Sequence, residues 1–338
     1  EECGATVLVR TKVVSAERDG DLWRIVTQDV DTGAQTTHRA RILVNAGGPW
    51  VEDVVRSTAR LKTTEGIRLV QGSHIVTKRL FDHDKCYFFQ GEDGRIIFAI
   101  PYEGDFTLIG TTDQEYEGDP SQAACTDAEA DYLVAFINKY LRAPISRDDV
   151  VWSYSGARPL YDDGAKSATA ATRDYVLSLD SKGAPILSVF GGKITTYRKL
   201  AEHVMNKLEP FISDMKPEWT AGVPLPGGNF PVGDVDRLIA ELKTAHPFLD
   251  DFWATRLVRA YGSEAKDILA GANDTNALGR DFGATLTEAE VRWLMDKEFA
   301  RRADDVVWRR SKLGLRMSAE QIAVLDAWMQ AHPVQSAA

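Results

Sequence analysis

The chain has 338 residues, of which 44% are apolar and 27% are charged. This composition is typical of a globular protein and excludes the disordered, collagen-like and coiled-coil classes. The formal net charge of −10 has the wrong sign for a protein whose main role is to coat nucleic acid. At roughly 150 residues per domain, the length predicts about two domains. The three cysteines include no CxxC pair, so they fit a reducing compartment and not a disulfide scaffold.

The amino-terminal segment predicts short strands that lead into a glycine-rich turn. Glu1 is neither an initiator methionine nor the start of a signal peptide, so we expect the chain to begin within a longer protein. Turn signals separate the predicted strands, which are Thr6–Val9, Leu22–Thr27 and Arg41–Val44. The turn 45–50 follows, and its Pro49 suits the first turn of a helix.

The next region is rich in β-forming residues. Its predicted strands are separated by glycine-containing turns, which indicates a largely antiparallel sheet, and they cover Ile67–Thr77, Cys86–Gln90, Arg95–Tyr102 and Phe106–Gly110. Thr126 and Glu129 have the spacing of a capping box, and the apolar residues that follow recur at helical spacing. We therefore expect a helix to begin after Thr126.

A second unit of strand, glycines and helix lies at residues 185–208. The apolar strand Pro185–Phe190 precedes Gly191-Gly192-Lys193, and the helix after it has an apolar face of Leu200, Val204 and Leu208. Beyond the loop 222–228 the pattern predicts helices to the end of the chain.

Two of those later helices have explicit start signals. Thr287 is followed three residues later by Glu290, and Ser318 by Gln321. Both pairs predict capping boxes.

The two glycine turns share an architecture that suits an anionic ligand. Backbone N–H groups at a helix start lack intrahelical partners, and glycines let a phosphate or an anionic flavin edge approach them closely. Two such turns fit one cofactor across the carboxyl ends of a sheet. Each turn taken alone is equally consistent with an ordinary strand-to-helix connection. The sequence contains no GxGxxG fingerprint for a dinucleotide.

Three cationic side chains are candidates for binding a phosphate or a carboxylate. Arg158 follows an aromatic strand-like run and precedes Pro159, and its guanidinium fork suits such a ligand. Arg173 and Lys193 could add positive charge. The alternative for Arg173 is a surface ion pair with Asp174 or another acidic residue, which is the more usual role of an arginine.

His74 is the candidate proton acceptor. It lies within an apolar strand run, and a histidine can accept a proton near neutral pH. The alternative is a hydrogen-bonded structural role, which a lone strand histidine has more often. A metal site built from His74, His83, Asp82 and Asp84 is disfavoured because no ligand spacing supports it, and we expect no metal.

The basic stretch 301–312 contains Trp308 among its arginines. It suits contact with anionic lipid or with a partner. The interleaved Asp304 and Asp305 favour a solvated, ion-paired helix face instead.

Five segments carry a family resemblance, and they are Leu43–Val51, Gly66–His74, Ile109–Asp113, Tyr154–Leu160 and Val189–Leu200. Together they make the chain similar, essentially end to end, to the FAD-dependent glycerol-3-phosphate dehydrogenases of the aerobic or respiratory type. The helical end resembles that family's cap domain. Gly47 departs from the threonine that is usual there but leaves the turn intact. The family's amino-terminal FAD-binding βαβ unit would lie before Glu1, so we expect weak or no flavin binding by residues 1–338 alone.

The resemblance implies an α+β or α/β fold. It would combine a partial FAD-binding domain of the glutathione-reductase-like, DAO type with an antiparallel substrate-binding sheet and a carboxyl-terminal all-helical domain. Residues 1–62 and 183–215 would be the remaining parts of the FAD-binding domain. Residues 63–182 would form the substrate-binding domain, and residues 216–338 the helical domain.

The implied activity is the oxidation of sn-glycerol 3-phosphate to dihydroxyacetone phosphate, with hydride transfer to FAD and electrons passed to a quinone. By motif match, Arg158 would bind the substrate phosphate with help from Arg173. Lys193 would lie beside the flavin and the reacting oxygen, and His74 would accept the proton. The residues expected to bind FAD are Ala46, Gly47, Gly48 and Pro49 on one side and Gly191, Gly192, Lys193, Thr195 and Thr196 on the other.

Three alternatives stay open beside this interpretation. The electron acceptor could be oxygen, which would make the protein a glycerol-3-phosphate oxidase that releases hydrogen peroxide. An amine or amino-acid oxidase of the same fold is disfavoured, because the cationic set suits a phosphate dianion. The chain could also be a non-catalytic fragment that serves only as a structural or interaction domain.

The resemblance also implies a location and partners. We expect a cytoplasmic protein, with peripheral contact to the inner face of the cell membrane as an option. We expect no nucleic-acid partner, and a homodimer is compatible with the sequence.

Overall fold

The computed structural model describes residues 4–92, 94–164 and 172–333. The chain divides into two compact units, Glu1–Thr220 and Ala221–Ala338. The finer domain limits expected from the sequence stay a prediction.

The described strands in chain order are β1 Thr11–Asp19, β2 Leu22–Asp29, β3 Gln35–Ala40, β4 Leu43–Asn45, β5 Ile67–Lys78, β6 Tyr87–Gln90, β7 Ile96–Tyr102, β8 Phe106–Gly110, β9 Gln114–Glu115, β10 Val150–Tyr161, β11 Tyr175–Asp180, β12 Ile186–Gly191, β13 Asp281–Gly283 and β14 Leu286–Thr287. The described α-helices are α1 Val51–Asp53, α2 Asp127–Asn138, α3 Tyr197–Leu208, α4 Val235–Ala245, α5 Asp251–Tyr261, α6 Ala265–Leu269, α7 Glu288–Lys297 and α8 Ala319–Ala331. Short 3₁₀ or π segments extend some of these helices, among them Gly48–Trp50, Val54–Thr58 and Ile194–Thr196, and a separate π segment covers Asp305–Arg310.

In the first unit, β1, β2 and β3 form an antiparallel meander in that order. The predicted strand Thr6–Val9 is wrong, because pairing begins only at Thr11, which lies opposite Asp29. Val7 and Leu8 are exposed, so this apolar run has no sheet to pack on. Trp23 is fully buried and donates its indole N–H to the carbonyl of Pro185 at 2.9 Å, which fixes the meander against the β12 region.

The large sheet of this unit has the order β10-β5-β8-β7-β6, with β9 beside β5. Its strand pairs are antiparallel, as the sequence predicted. Successive side chains of a strand point to opposite faces of the sheet. One face buries an apolar layer against Leu133 and Ile137 of α2, and this layer includes Ile75, Ile97 and Ile109. The residues between them therefore lie on the opposite face.

The predicted capping box at the start of α2 is confirmed. The Thr126 hydroxyl accepts the backbone N–H of Glu129 at 3.2 Å, and the Glu129 carboxylate accepts the N–H of Thr126 at 3.0 Å. The helix therefore begins where two backbone donors are satisfied.

A third sheet of the first unit has the order β11-β12-β4, and its strands β12 and β4 run parallel. Ser188 of β12 lies opposite Asn45 of β4. Both predicted units of strand, glycines and helix are present, because helical segments begin at Gly48 after β4 and at Ile194 after β12. The inward face predicted for α3 is confirmed, since Leu208 is buried and Leu200 and Val204 pack beside it.

The second unit is mainly helical, as predicted, around a buried apolar core that includes Leu257, Leu286, Leu294 and Val306. The capping box at Ser318 and Gln321 is confirmed. Helix α7 begins at Glu288 as expected, but the box predicted for Thr287 and Glu290 is wrong.

The carboxylate of Glu290 is engaged elsewhere. It accepts both terminal nitrogens of buried Arg256, at 2.6 and 2.7 Å, and the hydroxyl of Tyr261 at 2.7 Å. These tertiary hydrogen bonds take the side chain away from the helix start.

The basic stretch 301–312 is tied into this unit. Asp305 accepts the backbone N–H groups of Arg301 and Arg302, and Arg310 lies 3.6 Å from the carboxylate of Glu298. Val306 and Val307 are fully buried. These contacts favour the ion-paired interpretation of the stretch. Over the described residues, no helix combines the length and apolar character needed to cross a bilayer.

Candidate active site

His74 lies on β5, an inner strand of the large sheet, on the face opposite α2. Across the strands it is opposite Tyr154 of β10 on one side and Gly110 of β8 on the other. The imidazole and the Tyr154 ring are stacked, with centroids 4.9 Å apart and planes 7° from parallel. A methyl group at position 110 would overlap the imidazole, so only glycine leaves the ring room on that side.

The surroundings of His74 favour its neutral form. Burial lowers the pKa of the imidazole from 6.5 to about 4, and the positive charge of Arg158 contributes to the shift. The Nδ1 atom is buried and has no hydrogen-bond partner among the described residues. A neutral imidazole with an unused ring nitrogen can accept a proton from a group placed beside it. The purely structural alternative, a hydrogen-bonded histidine, is not what the geometry shows at Nδ1.

Arg158 lies on β10 four residues after Tyr154, so the two side chains share one face of the sheet. Its Nη1 donates to the carboxylate of Asp113 at 2.5 Å, and its Nη2 donates to the hydroxyl of Thr111 at 3.1 Å. The guanidinium passes over Gly72, where any side chain would overlap it. The bonds to Asp113 and Thr111, and the space over Gly72, hold the guanidinium in one orientation. Its remaining N–H groups can bind an anion.

The two glycine turns lie next to each other in space. Asn45 donates its side-chain amide to the hydroxyl of Ser188 at 3.3 Å and to the carbonyl of Val51 at 2.9 Å, and it accepts the N–H of Gly47 at 3.2 Å. Because β4 and β12 are parallel, the turns that follow them meet at the carboxyl edge of the sheet. This is the edge at which α/β sheets bind nucleotide ligands.

Both turns leave backbone donors available for a ligand. No side chain caps the helical segment that begins at Gly48 or the one that begins at Ile194. Gly191 has a φ of +74° and lies close to the backbone of Tyr161 and Asp174, so a side chain there would be strained and crowded. Thr195 and Thr196 are exposed beside these uncapped N–H groups. The donor set fits an anionic cofactor of the flavin nucleotide type.

Arg173 and Lys193 lie at one end of this sheet. Tyr175 pairs with Gly191, and each of the two cations lies two residues beyond that pair. Both side chains are exposed, and Arg173 forms no ion pair with another residue of the described ranges. The surface pair with Asp174 is therefore not seen. Arg158 lies on a different strand, and the roles assigned to all three cations stay predictions.

Several residues of this site were missed by sequence reasoning. Tyr154 stacks on His74, Thr111 and Asp113 anchor Arg158, and Gly72 makes room for it. The i, i+4 spacing of Tyr154 and Arg158 within one strand was a usable signal. The anchors were not predictable, because they come from a segment about 45 residues away along the chain.

Two family models match the chain. The model described as "FAD dependent oxidoreductase" matches residues 1–198, and the model described as "C-terminal domain of alpha-glycerophosphate oxidase" matches residues 219–331. These matches confirm the fold class that was expected from the sequence.

Relatives with described activities match almost the whole chain. The aerobic glycerol-3-phosphate dehydrogenase of Escherichia coli K12 is 45% identical over 328 residues, which are 96% of this chain and 65% of the relative. The D-erythritol 1-phosphate dehydrogenase of Brucella abortus is 43% identical over 328 residues, which are 97% of this chain and 65% of the relative. This chain thus spans 65% of the length of each relative.

A solved structure has the same fold. The glycerol-3-phosphate dehydrogenase from Bacillus halodurans, determined in complex with FAD, superposes with a TM-score of 0.76 at 26% sequence identity. The alignment covers 97% of this chain and 69% of that one.

Proposed function

We propose, since this chain belongs to the family of FAD-dependent oxidoreductases, that the protein oxidises sn-glycerol 3-phosphate to dihydroxyacetone phosphate. The observation that carries the proposal is that His74 and Arg158 lie on the same face of one sheet. The His74 imidazole is neutral and close enough for the charge of Arg158 to lower its pKa, and Asp113 holds the Arg158 guanidinium in place. A proton acceptor and an anion-binding fork are the two groups that oxidation of a phosphorylated alcohol requires from the protein. The names of the relatives from Escherichia coli and Bacillus halodurans support the same substrate.

The cofactor would be FAD, which supplies a hydride acceptor when it is bound. The turn Ala46–Pro49 and the residues Gly191, Gly192, Lys193, Thr195 and Thr196 would hold it. Their contribution is backbone N–H groups, hydroxyl donors and a positive charge at the carboxyl edge of the sheet.

The substrate would be bound by its phosphate and activated at its hydroxyl. Arg158, assisted by Arg173, would take the phosphate, and this contact would fix the position of the carbon that is oxidised. His74 would accept the hydroxyl proton, because its imidazole stays neutral down to about pH 4. Lys193 would stabilise the negative charge that develops on the reacting oxygen.

A substrate panel tests this assignment. The whole protein, loaded with FAD and supplied with an artificial electron acceptor, is expected to turn over glycerol 3-phosphate and to leave glycerol unchanged, because glycerol lacks the group that Arg158 would bind. D-Erythritol 1-phosphate belongs in the panel, since a relative of nearly equal identity acts on it by name. Equal turnover of glycerol and glycerol 3-phosphate would contradict the proposal. Faster turnover of D-erythritol 1-phosphate would support the proposed oxidation but identify the four-carbon phosphate as the substrate.

The electron acceptor would be a quinone, reached by peripheral contact of a cytoplasmic protein with the inner face of the membrane. Oxygen is the second candidate, because the family model at residues 219–331 is named after an oxidase. An assay for hydrogen peroxide during turnover in air decides between them. Little peroxide and rapid reduction of a soluble quinone analogue are the expected results, and peroxide equal to substrate consumed would establish the oxidase.

A further inference from the structure

A buried carboxylate lies directly behind the candidate active site. Glu129 of α2 is 1% exposed and contacts the back of the large sheet, on the side away from His74 and Arg158. Its Oε1 accepts the hydroxyl of Ser73 at 2.7 Å and the hydroxyl of Thr112 at 2.8 Å. Burial alone would raise the pKa of Glu129, but hydrogen bonds from Thr126, Ser73 and Thr112 outweigh it and lower the pKa. The group is therefore a buried anion that is neutralised by donors and not by a cation.

The two carboxylate oxygens have different partners. Oε2 accepts the backbone N–H and the hydroxyl of Thr126, both at 3.0 Å, and the amide of Gln71 at 2.8 Å. That oxygen completes the helix cap. A capping box needs only the bond to the Thr126 N–H, so the bonds from the carboxylate to Gln71, Ser73 and Thr112 require another explanation.

Each residue bound by Oε1 lies between residues of the candidate site. Thr112 lies between Thr111 and Asp113, the two anchors of the Arg158 guanidinium. Thr112 is bound by Glu129 from the back of the sheet, whereas Thr111 and Asp113 contact Arg158 in front, so holding Thr112 restrains the neighbour on each side of it.

Ser73 makes the same connection for the neighbouring strands. It lies between Gly72, the floor under the guanidinium, and His74. Its hydroxyl is 2.6 Å from that of Ser155, which lies next to Tyr154 on β10, and its backbone N–H donates to the Thr112 hydroxyl at 2.9 Å. One carboxylate thus links the strands and the segment that carry His74, Tyr154 and the anchors of Arg158.

We propose that Glu129 is a positioning residue for substrate binding: by holding Thr112 and Ser73 from the back of the sheet, it fixes Thr111 and Asp113 and so aims the Arg158 guanidinium at the substrate phosphate. The inference rests on the proposed function for its substrate. The claim that Glu129 sets the orientation of Arg158 does not depend on which substrate is bound.

The test compares Thr112→Val with Thr126→Ala in the whole protein. Thr112→Val keeps the shape of the side chain and removes the hydroxyl that joins Oε1 to the anchors. Thr126→Ala removes a hydroxyl from the Oε2 side and weakens the helix cap, but it keeps both bonds of Oε1 to Ser73 and Thr112. Thr112→Ser restores the hydroxyl and serves as the rescue variant, and Glu129→Ala removes both sets of contacts at once.

Two readouts are taken for each variant. The first is the NMR spectrum of the Arg158 guanidinium N–H groups in the absence of substrate. These signals are assigned as the ones that disappear in Arg158→Lys. The second is the pair of kcat and KM for glycerol 3-phosphate. Thr112→Val is expected to shift the Arg158 signals and to raise KM about tenfold with little change in kcat, since a contact remote from the reacting carbon contributes binding to substrate and transition state alike.

The outcomes separate the two levels of the proposal. Thr126→Ala is expected to lower the melting temperature and leave both readouts unchanged, and Thr112→Ser to return both to the wild-type values. The positioning role of Glu129 would be overturned if the NMR signals of the Arg158 guanidinium did not change in Thr112→Val. It would also be overturned if they changed as much in Thr126→Ala as in Thr112→Val. Absence of turnover in wild-type protein that has bound FAD would contradict the proposed function, while the guanidinium signals would still decide whether Glu129 positions Arg158.

Discussion

The chemistry proposed for His74 depends on its neighbours more than on its residue type. An exposed histidine would be about half protonated near pH 6.5, whereas burial and Arg158 lower the pKa of this one to about 4. The sequence identified the residue and its strand. It did not reveal that Tyr154 covers one ring face and that Gly110 leaves space for the ring, because those residues reach His74 only by strand pairing.

The stability of the protein should depend on His74 below pH 6.5. The folded pKa lies below the unfolded value, so protonation favours the unfolded state as the pH falls from 6.5 to about 4, and above 6.5 the residue makes no pH-dependent contribution. Relative to His74→Gln, the wild-type protein is expected to lose about 2–3 kcal/mol over that interval. Urea unfolding of both proteins at several pH values measures the difference. Parallel curves for the two proteins would contradict the assigned environment of His74.

The contribution of Arg158 to that environment can be measured separately. Replacing it by Gln removes the nearby positive charge, so the midpoint of the His74 titration should rise. It should stay below the ordinary value of 6.5, because burial is the larger cause of the shift. NMR titration of the imidazole in both proteins provides the check. A midpoint unchanged by Arg158→Gln would show that the guanidinium does not act on this ring.

At the scale of single elements, the strands of the large sheet have the candidate active site on one face and the contacts with α2 on the other. The sequence predicted β5, β8 and the helix α2 with its capping box, because alternation and cap spacing are local signals. The cap predicted for Thr287 and Glu290 failed for a tertiary reason, since Arg256 and Tyr261 bind that carboxylate. Glu129 shows the converse, a correctly predicted cap whose second oxygen had a role that no local pattern indicates.

Substitution of two glycines tests where Arg158 lies on this sheet face. The two are Gly72 on β5 and Gly156 on β10, which lie opposite each other. A methyl group at position 72 would overlap the Arg158 guanidinium and the Thr111 hydroxyl, whereas one at position 156 would meet no atom within 4 Å. Gly72→Ala should therefore raise KM for glycerol 3-phosphate by about tenfold or more by displacing the fork. Gly156→Ala is the matched control and should leave KM unchanged. Similar KM values in the two variants would argue against the placement of Arg158.

At the scale of the whole molecule, the candidate site depends on pairing between distant parts of the first unit. Asn45 and Ser188 are 143 residues apart along the chain, yet their hydrogen bond joins the strands that end in the two glycine turns. The similarity of the two turns made their proximity a reasonable prediction from sequence. The parallel register that brings them together came only from the structure.

Asn45 should therefore stabilise the cofactor edge. It is buried, and Asn45→Ala would leave the N–H of Gly47 and the carbonyl of Val51 without this partner. We expect a loss of about 1–3 kcal/mol in the free energy of unfolding. Ser188→Ala, which removes one acceptor of the same amide, should lose less. Urea denaturation measures both variants, and a larger loss in Ser188→Ala would contradict the role assigned to Asn45.

The central claim is that this protein uses a flavin to oxidise a phosphorylated alcohol bound by Arg158. The most direct test is the visible absorption spectrum of the purified protein with FAD, recorded without oxygen before and after addition of glycerol 3-phosphate. We expect the bands of the oxidised flavin to bleach in the wild-type protein, and to bleach only at much higher substrate concentration in Arg158→Lys. Protein-bound flavin that remains oxidised in the presence of saturating glycerol 3-phosphate would contradict the account.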